Sequence, residues 1–205
     1  MRLLLIPTAL ERERIPVELR REWTDRGDLI ELCGFGAVVS GIQASRWIEH
    51  FRPTGVILLG IAGSYTTELA PGSAIEFTQV SCFGIGVGEG DGYRGAGEMG
   101  WDHWPFTPNI TDTIELEANT ERELELLSVM AASASTLETG VKTRAFPTAL
   151  AEDMEGFSVA AACRLSDVPL RIVRGISNFA GDRNHRDWKI DSSLQAAMEV
   201  VLHSS

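Results

Sequence analysis

The 205 residues, 44% of them hydrophobic, are enough for one α/β domain with a substantial core and exclude general disorder. A formal charge of -11 and a pI near 4.8 leave no Lys/Arg surplus for tracking a nucleic-acid backbone or an anionic membrane. A small molecule is therefore the expected partner. The three cysteines, Cys33, Cys82 and Cys163, are widely spaced and odd in number, so they read as reduced core thiols of a cytoplasmic protein rather than a disulfide framework or a metal site. The apolar run Leu3 to Ile6 is cut by Pro7, far short of a signal segment or a membrane span.

In chain order, Arg2 to Pro7 has the length and composition of a buried strand. The following TALERERIP is expected to be a carboxylate-rich loop at the ligand-binding edge, with Glu11 and Glu13 in it. A second strand is predicted over Asp28 to Cys33, then a helix over AVVSGIQASRWIEHF with Val38, Ile42, Trp47 and Phe51 facing inward. Pro53 ends that helix, and Gly55 to Leu59 reads as a buried strand running into a glycine loop, Gly60 to Ser64.

Ser73 to Phe83 alternates enough for one long strand, and the glycine-rich GIGVGEGDGYRGAGEMG after it predicts a mobile lid or a solvated linker. Trp101 to Asn119, with Pro105 and Pro108, reads as irregular; Leu124 to Ala134 suits a strand or a helix, the strand being preferred, and Ser135 to Ala145 is a connector with room for one helix. Thr148 to Met154 is predicted as a strand delivering Glu155. Gly156 to Ser166 is predicted as a helix stopped by Pro169, with Val159 and Cys163 inward. Leu170 to Ile176 is then a strand ending in Ser177 and Asn178, and Asp191 to His203 an amphipathic helix of Leu194, Met198 and Val201. No repeat or linker divides the chain, so a single domain over 1–205 is expected. Arg174 reads as the structural partner of a buried carboxylate such as Asp153, and the histidines as surface residues.

The stretch AEDMEGFSVAAACRLSDVPLRIVRGISN resembles the E-x-ME-G/A … vP … vRgIS-D/N signature of the nucleoside phosphorylase and nucleosidase superfamily, whose members break purine N-glycosidic bonds. TALERE, CGFGAVVSGIQAS and LLGIAGS are similar to further segments of that family, in the family's order. The resemblance implies a three-layer α/β/α fold around a mixed sheet, a purine nucleoside as small-molecule partner, a homo-oligomer, and no metal or other cofactor.

Carried over by residue, the resemblance makes Glu13, four residues beyond Ala9, the group that deprotonates the attacking water, with Glu11 competing for that role. It makes Glu155 the carboxylate that grips the ribose hydroxyls, lays Met154 against the sugar, sets Ala62 and Gly63 against the substrate, and turns Asn178 toward N7 of the purine. These roles suit the chemistry, because bond cleavage builds positive charge on the ribose and negative charge on the base. Adenine-releasing members carry aspartate at the Asn178 position. An amide that accepts from N7–H and donates to O6 predicts a 6-oxopurine, hypoxanthine, as the leaving base. Leu58 and Ile61 stand where phosphorylases of the family bind phosphate, which implies attack by water. An adenine-releasing nucleosidase and a non-catalytic nucleoside-binding module are the alternatives.

Overall fold

A computed structural model describes residues 1–118 and 122–203. The chain alternates β1 (Leu3–Ile6), α1 (Ala9–Arg14), α2 (Val17–Asp25), β2 (Leu29–Leu32), α3 (Ala37–Phe51) and β3 (Val56–Ser64). It continues through β4 (Ala74–Phe77), β5 (Gln79–Phe83), β6 (Gly86–Val87), β7 (Arg94–Gly95), β8 (Thr113–Glu115) and β9 (Glu125–Val129). The last elements are α4 (Thr136–Ala145), β10 (Ala149–Asp153), α5 (Gly156–Leu165), β11 (Leu170–Phe179) and α6 (Ile190–His203).

Among the described residues nine strands form one mixed sheet in which β3 is the hub. It runs parallel to β1 and to β11, and its last residues pair antiparallel with β10. The side-chain period of two sends alternate residues to two cores. Leu3, Leu5, Val56, Leu58 and Ile172 meet α3 and α5 on one face; Leu4, Ile6, Ile57, Leu59 and Val173 meet α6 and Trp23 of α2 on the other. Helices on both faces of a mixed sheet match the three-layer expectation. Among the described residues no helix is long and apolar enough to cross a membrane, and no group of side chains is arranged to hold a metal ion.

Several sequence expectations need correction. TALERE is helix α1 rather than a loop: Thr8 caps it, its Oγ1 accepting from Glu11 N at 3.2 Å. Thr8-x-x-Glu11 is the spacing of a capping box. Helix α2 had no counterpart in the sequence reading. The glycine loop 60–64 is the last part of β3, and the long strand 73–83 breaks at Thr78 into β4, which joins β11, and β5, which joins β9 and β8. The glycine-rich segment folds as the β6–β7 hairpin, pinned by Tyr93 and Asp112, whose side chains accept from Gly84 N at 3.0 Å and Gly97 N at 2.8 Å. The segment expected to be irregular contains β8; Asn119, at its end, lies outside the described residues.

Helix α3 has the predicted bounds with a different inner face. Ser40, Ala44 and Ile48 are buried, whereas Val38 and Ile42 are 73% and 60% exposed. The reason is close packing on α5: a Cβ on Gly41 would lie 3.1 Å from Ser158 Cβ, and Ser40 Oγ lies 3.2 Å from Ser158 Oγ. Small residues allow that approach, and the bulky ones are left outside. His103 is also not at the surface; it is part-buried between Asp112, at 2.9 Å, and the Phe157 ring.

Candidate active site

A cavity of about 300 Å³ opens where β1, β3, β10 and β11 end or cross. Carboxylates line it (Glu11, Glu152, Asp153, Glu155), with Ala62, Gly63, Met154 and Asn178 beside them and Arg183, His185 and Trp188 at one side. All of the residues that the sequence predicted are therefore brought together except Glu13. That side chain is exposed and does not line the cavity. Positions 11 and 13 of a helix lie about 200° apart, so the two carboxylates cannot both face inward. Glu11 faces in, on the same stripe as buried Ile15. A second cavity of equal volume, lined by Glu115, Glu117, Arg164 and Asp167, lies away from these residues and has no comparable convergence of buried polar groups.

Arg174 is the centre of the first polar cluster. It is fully buried on β11; Nη2 bonds Asp153 and lies 3.7 Å from Glu155 Oε2, while Nε and Nη1 have no hydrogen-bond partner among the described residues. The pairing with Asp153 is the one the sequence suggested. A Cβ on Gly60 would meet Arg174 Nη1 at 2.2 Å and Glu11 Oε1 at 2.9 Å, so only glycine leaves room for the two groups above β3.

Glu11 is held from two sides: Oε2 accepts from Thr8 Oγ1 at 2.6 Å, and Oε1 from Ile61 N at 3.1 Å. Glu155 precedes α5, and its Oε1 accepts at 2.9 Å from Gly36 N, in a turn whose φ of +78° suits glycine. Burial pushes the Glu155 carboxyl up to about 7 despite the opposing pull of Arg174, with Asp153 adding to the rise.

Asn178 follows a register shift in β11 that sets it, rather than Ser177, opposite Gly63 of β3. Its Oδ1 accepts from Ser177 Oγ at 2.7 Å; its Nδ2 donates to the carbonyls of Phe179 at 2.8 Å and Asp182 at 3.3 Å. Two carbonyl neighbours fix the amide's orientation, because neither can donate. The expected donation to O6 is thus not available from Asn178: both amide hydrogens are taken, and Oδ1 keeps one free lone pair.

A second cluster, absent from the sequence reading, is built on Glu152. Its Oε1 accepts from Ser133 N at 2.7 Å, and its Oε2 from Tyr65 OH at 2.7 Å, Ser133 Oγ at 2.8 Å and Lys142 Nζ at 3.0 Å. Lys142, buried on α4, also donates to Ala131 O at 2.7 Å and Ser133 Oγ at 2.8 Å. Burial and the neighbouring carboxylate push the Tyr65 phenol up, so it stays a donor. Residues ten positions apart on different elements carry no spacing signal, which is why the sequence concealed this pair.

At the rim, the Arg183 guanidinium stacks 5.2 Å from the Trp188 ring, and His185 stacks on the same indole at 4.2 Å. Trp188 Nε1 is buried without a partner. Of the two positions the phosphate comparison used, Ile61 lines the cavity and Leu58 lies in the core.

The family profile described as "Phosphorylase superfamily" matches residues 27–204. The chain belongs to the phosphorylase superfamily. Among relatives, futalosine hydrolase of Streptomyces coelicolor is 28% identical over 149 residues, covering 71% of this chain and 63% of that protein. The 5'-methylthioadenosine/S-adenosylhomocysteine nucleosidase of Shewanella frigidimarina is 28% identical over 183 residues, covering 84% and 79%. The matched relatives of this superfamily member are thus a hydrolase and nucleosidases by name. Two solved structures share its fold. The Colwellia psychrerythraea methylthioadenosine/adenosylhomocysteine nucleosidase with adenine has a TM-score of 0.77 at 15% identity, over 98% of this chain and 93% of that one. Futalosine hydrolase of Helicobacter pylori has 0.73 at 16%, over 99% and 97%.

Proposed function

We propose that this protein is a cytoplasmic nucleosidase that hydrolyses the N-glycosidic bond of futalosine, releasing hypoxanthine and dehypoxanthinylfutalosine on the futalosine route to menaquinone. The observation that carries the hydrolytic reading is the set of three buried carboxylates, Glu11, Asp153 and Glu155, around one guanidinium. In this reading the attacking water donates to Glu11, which lines the cavity, while the buried Arg174 behind the carboxylates offsets part of their charge. A phosphate dianion does not fit there, because it would enter a site already in negative excess.

In this reading C1'–N9 breaks with its electron pair leaving on the base, the water oxygen bonds C1', and Glu11 takes the water proton. Glu155 binds the ribose hydroxyls and stabilises the positive charge developing on the ring. Asn178 Oδ1 accepts from N7–H of the departing base. An amide has no proton to give, so that proton comes from solvent.

The rim favours futalosine over methylthioadenosine. Futalosine carries an aromatic carboxylate beyond its ribose, and the exposed Arg183 guanidinium over Trp188 at the cavity rim offers a cation to such a group. A methylthio tail has no carboxylate for Arg183 to pair with. Incubation with futalosine, inosine and methylthioadenosine, without and with phosphate, tests the proposal: hypoxanthine from futalosine, independent of phosphate, is expected. Preferential adenine release moves the chain to methylthioadenosine/adenosylhomocysteine nucleosidases, and binding without release makes it a non-catalytic module.

The homo-oligomer is part of the same proposal. Phe35, Val38, Val39 and Ile42 form an outward apolar face next to the cavity, which Phe35 itself lines. A second copy covering that face would complete the wall, and light scattering on the eluted protein should give a dimer or higher multiple.

A further inference from the structure

We infer that Glu152 is the group that selects the base, by accepting a hydrogen bond from N1–H of a 6-oxopurine; the inference rests on the nucleosidase reading and deepens it. Glu152 of β10 and Asn178 of β11 pair with the same residue, Gly63, from opposite sides of β3. Both line the cavity. Adjacent strands lie about 4.8 Å apart, which sets the two Cα atoms roughly 10 Å from each other. That span accommodates a purine hydrogen-bonded at N7 and N1, and Gly63 has no side chain to obstruct it.

Hydrogen-bond capacity makes the two groups a matched pair. Glu152 Oε2 is saturated by Tyr65, Ser133 and Lys142, while Oε1 accepts only from Ser133 N and keeps a free lone pair. Asn178 Oδ1 likewise accepts only from Ser177 Oγ. The cavity therefore presents two fixed acceptors, and the complementary base carries two donors. Hypoxanthine has N1–H and, in its 7H form, N7–H. Adenine has an unprotonated, accepting N1 that would oppose the carboxylate. Selection of the base thus falls to Glu152, a role that Asn178 cannot fill alone because its donors are committed.

Lys142 gives Glu152 its rigidity. With its three donors spent on Ala131 O, Ser133 Oγ and Glu152, the ammonium holds the carboxylate in one orientation. A buried acceptor fixed in this way rejects a ligand that lacks the matching donor more strongly than a mobile one does.

Calorimetric titration of the whole protein with hypoxanthine, 1-methylhypoxanthine, unsubstituted purine and adenine tests this directly. Hypoxanthine should bind at least about tenfold tighter than each of the others, purine serving as the control that lacks the N1 donor without adding bulk. In Glu152→Gln the hypoxanthine preference over adenine should fall at least about tenfold, and because that variant disturbs Lys142, the ligand series on the unaltered protein decides if it does not fold. Equal binding of hypoxanthine, purine and adenine overturns the Glu152 assignment while leaving a nucleosidase. Absence of both base binding and base release overturns the nucleosidase reading and this assignment with it.

Discussion

Two carboxylate clusters face the same cavity and are built on opposite principles. Around Arg174, three carboxylates share one guanidinium, two of its nitrogens have no partner among the described residues, and burial drives Glu155 up toward neutrality. Around Glu152, one carboxylate meets one ammonium, a phenol and a hydroxyl, and the ammonium's three donors are all placed. The carboxylate excess of the first cluster, with Glu11 and Glu155 lining the cavity, suits groups that must meet a water and a sugar; near-complete satisfaction at the second suits a wall that must not move. On the proposed reading, the first cluster carries the chemistry and the second the recognition of the base.

The largest test of that contrast is Glu11→Gln. Loss of the proposed water-activating carboxylate should lower the rate of hypoxanthine release by about a thousandfold, with nucleoside affinity nearly intact by calorimetry. Survival of turnover would remove Glu11 from the mechanism. In the second cluster, Lys142→Met strands Glu152 without its cation and should cost about 3 kcal/mol in denaturant unfolding, as a broken buried pair does. A loss near zero would mean that the pair holds nothing.

A pH series separates what Glu155 does for catalysis from what it does for folding. Glu155, raised to about 7, takes a proton below that pH and no longer stabilises the ribosyl charge, so kcat should fall about tenfold per unit on the acid side. Its stability contribution runs the other way. A folded-state pKa above the unfolded one favours folding most below the unfolded value, and that contribution is lost as pH rises through about 7. Melting temperature and kcat measured over the same range should therefore move in opposite directions, and an acid limb unchanged in Glu155→Gln would assign it to another group. The smallest effect belongs to Glu13→Gln, which should change turnover less than about twofold because an exposed side chain outside the cavity contributes little.

Much of this arrangement was readable in the sequence, for physical reasons that also explain the omissions. Long apolar runs and proline stops located β1, α3, β10, α5, β11 and α6, and the family signature located Met154, Glu155 and Asn178. The first helix was missed because its charged sequence looks like solvated loop. The Thr8-x-x-Glu11 cap and the burial of Ile15 four residues after Glu11 fix its phase, and phase, not spacing from Ala9, decides which glutamate turns inward. Apolar periodicity puts Val38 and Ile42 on an inner face with Trp47 and Phe51, whereas close packing of small residues leaves them outside. The Lys142–Glu152 pair and the committed amide of Asn178 depend on three-dimensional hydrogen-bond partners, which no linear pattern carries.

In the proposed reaction, water activated by Glu11 displaces hypoxanthine from futalosine. A single turnover in ¹⁸O-labelled water tests it most directly. One labelled oxygen at C1' of the released sugar, with one equivalent of hypoxanthine and no change on adding phosphate, is the predicted result. A sugar 1-phosphate, or label incorporated at an undiminished rate in Glu11→Gln, would contradict it.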